Sequence, residues 1–184
     1  MKKFAVVALT SALFVTPLIS DNDASAATRQ TFKAPDLLNT TVARQLKAKS
    51  FIYKSEQGKI VKIGDTFKTV KYQWGRPSYF STYSISGNSS FEAGYGKYPT
   101  AAVYGSTNQF VYNFNSAKVD GYKFWYLLKY SPTAVQKVYG KPTTSQLVNK
   151  NEIKHYYKNL FELTYHKNSQ GSWRVFEMNY HLTK

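Results

Sequence analysis

Apolar and polar positions along the chain predict a short helical front part and then a long succession of strands. Leu37, Leu38, Val42, Leu46 and Phe51 recur at near-helical spacing after Pro35 and Asp36, which predicts a first helix, with Lys47 and Lys49 near its negative pole. Gly58 breaks the chain, and Ile60, Val61 and Ile63 are expected to make a short apolar strand or entry segment. Further helices are expected over 67–74 and 132–139. Elsewhere the pattern is that of strands: 79–85, 91–98, 101–104, 109–114, 122–128, 143–148, 153–157, 161–166 and 173–181. Phe161, Leu163 and Tyr165 alternate with Glu162, Thr164 and His166, as a half-exposed strand requires. Gly94 and Gly96 make 91–98 read as a loop or an irregular strand. Residues 105–108 read as the turn of a hairpin whose second strand would place Phe110, Tyr112 and Phe114 on one face, and turns are also expected at 87–90 and 168–171.

One pattern occurs twice. Thr66, Val70, Trp74, Gly75, Arg76 and Pro77 return in order and spacing as Ser131, Val135, Tyr139, Gly140, Lys141 and Pro142. The hydroxyl residue suits an N-cap, Pro132 suits the first helical position, and each Gly–x–Pro ends the helix. Helices of two turns need a sheet behind them, so Val70, Trp74, Val135, Val138 and Tyr139 are the expected buried anchors. The fold class that follows is α+β: two tandem units of short helix plus antiparallel strands, forming one curved sheet with helices on one face. The organisation reads as a signal peptide at 1–26, a flexible leader and N-terminal helix at 27–57, a first unit at 58–127 and a second at 128–184.

Lys2 and Lys3, the apolar run 4–19 and Ala24-Ser25-Ala26 read as an export signal cleaved before Ala27. The apolar run is short for a membrane span, and Asp21, Asn22 and Asp23 follow it where a stop-transfer segment would carry Lys and Arg. The expectation is a secreted protein with no transmembrane segment in its mature part, held on the cell surface, if at all, by charge. There is no Cys, so neither a lipid anchor on Cys nor a disulfide can assist, and packing alone must hold the fold.

Charge changes the picture most. The net charge is +15, and it stays there when 1–26 is removed, because that segment holds two bases and two acids. Of 25 basic residues 21 are Lys, which suits non-specific attraction better than bidentate recognition. Lys118, Lys123 and Lys129 flank Tyr122 and Trp125, while Lys150, Lys154 and Lys158 surround Tyr156 and Tyr157. These ten residues are the expected polyanion-binding set, with nucleic acid the leading ligand, since lysines bind phosphates and exposed aromatics stack on unpaired bases. The second reading is a protein-binding or inhibitory module that presents loops 94–99 and 149–152. Most of the 16 Tyr are expected to serve the strands themselves.

Catalytic chemistry has little to stand on. His155, His166 and His181 lack metal-ligand spacing, Ser86 to Ser90 reads as a turn and not a nucleophile elbow, and Gly94-Tyr95-Gly96-Lys97 lacks the second half of a phosphate loop. No evident carboxylate pair stands out. The expectation is a non-enzymatic protein without metal or cofactor.

The paired helix motifs resemble the β-lactamase-inhibitor-protein-like superfamily, in which a helix and an antiparallel sheet recur in tandem; the resemblance spans about 58–182. Gly94 to Tyr98 and Ala102 to Gly105 are similar to an exported Firmicute family of unknown function. Ser131 to Gly140, Tyr156-Tyr157 and Trp173 to Tyr180 resemble the immunodominant staphylococcal antigen B family, which implies sequence-independent nucleic-acid binding but transfers no individual site residue.

Overall fold

In the computed structural model, which describes residues 30–96, 100–158 and 160–181, the chain is α+β. The expected export signal lies outside the described residues. Helix α1 (Thr40–Lys47) precedes a two-stranded ribbon of β1 (Tyr53–Lys54) and β2 (Ile60–Val61). Helix α2 (Phe67–Trp74) leads into β3 (Tyr79–Ile85), β4 (Asn88–Tyr95), β5 (Ala101–Thr107) and β6 (Gly121–Trp125). Helix α3 (Pro132–Tyr139) leads into β7 (Thr144–Asn149), β8 (Glu152–Tyr157), β9 (Phe161–Lys167) and β10 (Trp173–His181). The eight strands from β3 to β10 make one antiparallel sheet in the order β3-β4-β5-β6-β10-β9-β8-β7.

The helix ends follow from local chemistry. Thr66 and Ser131 cap α2 and α3, their hydroxyls accepting from Thr69 N–H and Ala134 N–H, each at 3.2 Å. Gly75 and Gly140 end the two helices at φ 79° and 83°, a region Gly enters freely. The first helix begins later than its apolar spacing predicts. Asp36 is spent on a turn, its carboxylate accepting from Leu38 N–H, and Asn39 is the N-cap, accepting from Thr41 and Val42 N–H. Lys49, at φ 54°, lies past the end of α1, so Phe51 packs from extended chain and not from the helix.

One face of the sheet carries the core. Phe67 of α2 stacks on Phe80 and packs at a tilt on Phe91, Phe51 and Tyr53 pack on Tyr180 and Phe124, and Tyr139 of α3 packs on Phe161. Helix α1 lies against α3, with the Lys47 ammonium donating to Val138 O at 2.7 Å. Of the expected anchors, Val70, Trp74 and Val135 are buried, whereas Val138 and Tyr139 are half-buried at the edge of the core.

Tyrosine explains how an irregular segment is tied down. Residues 33–38 form no helix or strand, so their carbonyls lack ladder partners. Hydroxyls supply them: Tyr53 donates to Lys33 O, Tyr126 to Pro35 O and Tyr139 to Leu37 O, at 2.9–3.0 Å, while Tyr130 donates to the Asp36 carboxylate at 2.8 Å. Residues 30–33 are not a flexible leader: Phe32 packs on Trp74 and Tyr95, and Thr31 bonds to Glu56 and Gln57.

Three strand readings are corrected. Asn88, Ser89 and Ser90 belong to β4, and the turn is Ser86-Gly87, both at positive φ, which matches the twist of the flanking strands. Residues 91–95 are regular strand, with Gly94 paired to Tyr79 and Ala102; residues 97–99 lie outside the described residues. Residues 109–114 form no strand, because Gly105 lies inside β5 and makes no turn. A Cβ at Gly105 would stand 2.0 Å from Lys118 O and 2.7 Å from the Phe91 ring, so the glycine serves close packing. Only Phe114 of that stretch is buried, while Phe110 and Tyr112 are exposed and pack on each other. Strand β6 is central, as expected of 122–128, but stops at Trp125, leaving Leu127 fully exposed.

Candidate polyanion interface

The strand registers sort the charged side chains by face. Glu92 of β4, Lys123 and Trp125 of β6, Glu177 and Asn179 of β10, Glu162 of β9, and Glu152, Lys154 and Tyr156 of β8 alternate with core residues and so share the helix-free face. Four of the eight acids beyond residue 26 stand there. Lys123 pairs with Glu92, which also accepts from the Tyr79 hydroxyl, and Lys154 pairs with Glu162 at 3.2 Å. His166 faces Glu152 at 3.6 Å and stacks on Phe176. Tyr104 lies across the bare backbone of Gly121, where a Cβ would be 2.3 Å from its hydroxyl. Burial, followed by the carboxylates of Asp120, Glu162, Glu92 and Glu177, pushes the Tyr104 phenol well above its ordinary range. Glu92, Glu162 and Glu177 of this face therefore stand near Tyr104.

A run of cations without ion-pair partners lies on the elements that cover the other face. Lys33, Arg44, Lys47, Lys49, Lys54, Lys59, Lys62, Lys68, Lys71 and Arg76 occupy the segment that carries α1, the β1–β2 ribbon and α2, and all are exposed. The acids of that segment are Asp36, Glu56 and Asp65. Asp36 is already engaged: burial works to raise its carboxyl, but the hydrogen bonds from Tyr130 and Leu38 N–H, with Lys129 and Lys33 nearby, hold it below the usual carboxylate range. None of these ten cations forms an ion pair among the described residues. Lys137 of α3 and Lys141 after it add to the same layer.

The ten residues expected from sequence to form a binding set are dispersed. Tyr122 and Tyr157 are core residues, 0% and 4% exposed, and the Tyr122 hydroxyl donates to Val61 O; neither ring can stack on a ligand. Lys123 and Lys154 are held by Glu92 and Glu162 on the acidic face, so they offer a polyanion little free charge. Trp125 and Tyr156 are half-exposed on that same face, Trp125 under the Lys123 ammonium and Tyr156 within 3.4 Å of Gln146. Lys118, Lys129, Lys150 and Lys158 are exposed but stand on separate loops and turns: before β6, before α3, between β7 and β8, and after β8. Sequence reasoning missed the cations between Lys33 and Arg76. The available signal was the density of Lys and Arg there against three acids, compared with the Glu residues placed one per strand later on.

Among the described residues no group of three His, Asp or Glu side chains could hold a metal ion, and no helix is long and apolar enough to cross a membrane. No protein-family model matches the chain, and no curated protein matches it. One solved structure is similar: a DUF4309 family protein, YjgB, from Bacillus subtilis, at 12% identity and a TM-score of 0.39, over 79% of this chain and 99% of that one.

Proposed function

We propose that this chain is an exported, non-enzymatic protein that binds polyanions, nucleic acid foremost, through the cationic helix layer. The observation that carries this reading is the segregation of charge: exposed, unpaired Lys and Arg on α1, the β1–β2 ribbon and α2, and paired Lys with Glu on the other face. A surface dominated by one sign, with no internal ion pairs among the described residues, raises the local concentration of anions and binds them in a salt-dependent way. The preponderance of Lys favours contact with phosphates or sulfates as point charges, without sequence readout. Export is supported by the sequence at 1–26, and retention on an anionic cell surface would use the same layer.

We infer that the chain consists of two tandem units on one curved sheet. Helix α2 leads the meander β3–β6, α3 leads β7–β10, and β6 pairs with β10. That arrangement supports a relation to the β-lactamase-inhibitor-protein-like group. The test of function is fluorescence anisotropy of labelled single- and double-stranded DNA with the purified protein over a salt series, with heparin as competitor. Affinity that falls steeply with salt supports the proposal; salt-insensitive binding, or none at physiological salt, sinks it.

A further inference from the structure

The two outer strands of the sheet, β3 and β7, carry no charged residue and no Pro. Exposed edges are ordinarily blunted by one or the other, because their free N–H and C=O groups template another strand. The two edges differ in what flanks them. Before β3 stands Arg76, and after it comes the uncharged Ser86-Gly87 turn. Around β7 stand three lysines. Lys141 precedes it, Lys150 follows it directly, and Lys158 lies beside its start, its N–H donating to the Thr143 hydroxyl at 3.1 Å. All three are exposed, and none forms an ion pair among the described residues. Every residue of β7 is exposed as well, Leu147 at 67%. The result is a strand edge of about 20 Å, uncharged along its length, apolar toward one end and positive at both ends.

We propose that β7 is a docking edge for an extended protein segment with an uncharged, β-prone centre and Asp or Glu at both ends, which adds to the sheet as a further strand. The backbone groups of β7 that face away from β8 supply the hydrogen bonds, and Leu147 supplies apolar contact. Lys141 and Lys158 at one end and Lys150 at the other select the charge and set the register. The bulge between Leu147 and Asn149 limits regular pairing to Thr144 through Leu147. A second copy of this chain fits less well. Pairing β7 with β7 would bring the lysines of two copies together, and β3 brings no acid to meet them. The edge shares only Lys141 with the helix layer. A polyanion needs charge alone, whereas strand addition needs backbone.

The test uses a labelled synthetic peptide of alternating Val and Thr with an Asp pair at each end, and the same peptide N-methylated at alternate residues. The expected result is that the first binds and N-methylation weakens it at least tenfold. Replacing Lys141, Lys150 and Lys158 together by Gln should weaken it about tenfold. Neutralising Lys54, Lys59, Lys62 and Lys68 should leave peptide binding unchanged while weakening DNA binding, so the two readings fail separately. Equal binding of the two peptides would reduce the effect to charge and overturn the proposal. So would no binding at millimolar peptide, or a dimer of the protein that Leu147→Lys dissociates.

Discussion

Replacing Tyr122 by Phe removes one buried hydroxyl and leaves the ring, which is fully buried and stacks on Tyr180. That hydroxyl donates to Val61 O at 2.7 Å, joining β6 to the β1–β2 ribbon. Taking away the donor leaves a buried carbonyl short of a partner, which costs about 1–2 kcal/mol. Tyr95 is the control. It is 1% exposed, and its hydroxyl has no hydrogen-bond partner among the described residues. Tyr95→Phe therefore relieves a desolvated hydroxyl and should leave stability unchanged or raise it by up to about 1–2 kcal/mol. For a chain of this size, each 1 kcal/mol moves Tm by roughly 2–4 °C. Thermal and urea denaturation followed by far-UV circular dichroism reads both variants. The reasoning is refuted if Tyr95→Phe loses as much stability as Tyr122→Phe, or if Tyr122→Phe matches the parent.

Other consequences follow from the same packing. His155 is 5% exposed, and burial lowers its pKa from the ordinary 6.5, so the unfolded chain binds its proton more readily. Its contribution to stability is complete above pH 6.5 and is lost as pH falls below it; Tm measured from pH 7.5 to 5 should drop less in His155→Gln than in the parent. Gly105→Ala would drive a Cβ into Lys118 O and should destabilise by about 3 kcal/mol or more, read by urea titration. Removing the hydroxyls of Tyr126 and Tyr139 together should loosen residues 33–38 first, seen as faster amide exchange and proteolysis there before global unfolding.

Much of the architecture is legible in the sequence because it rests on local chemistry. The caps Thr66 and Ser131, the terminators Gly75 and Gly140, and the alternation from Phe161 to His166 each act within a few residues. What escapes sequence reading depends on distant partners. Gly105 resembles a turn until Lys118 and Phe91 are seen against it. Phe110 and Tyr112 share a strand-like alternation with Phe114, but only Phe114 has Phe80 and Phe91 to pack against. The candidate site was less legible than the fold. Spacing along the chain brought Lys123 next to Tyr122, but β6 turns these neighbours to opposite faces, one against Glu92 and the other into the core. Proximity in sequence within a strand means separation in space. The cations that do share a side come from α1, the ribbon and α2, which all bury residues in the one core on that face of the sheet.

The most direct test of the central claim compares two sets of charge-neutralising variants in one DNA-binding salt series. One set carries Gln at Lys54, Lys59, Lys62 and Lys68 in the helix layer, and the other carries Gln at Lys123 and Lys154 on the sheet face. The helix-layer set should bind duplex DNA more weakly, with a log–log salt slope shallower by about 0.9 for each phosphate that is no longer neutralised. The sheet-face set should keep the parent slope, because those lysines are already paired with Glu92 and Glu162. The opposite pattern, with the slope set by Lys123 and Lys154 and unmoved by the helix layer, would contradict the account.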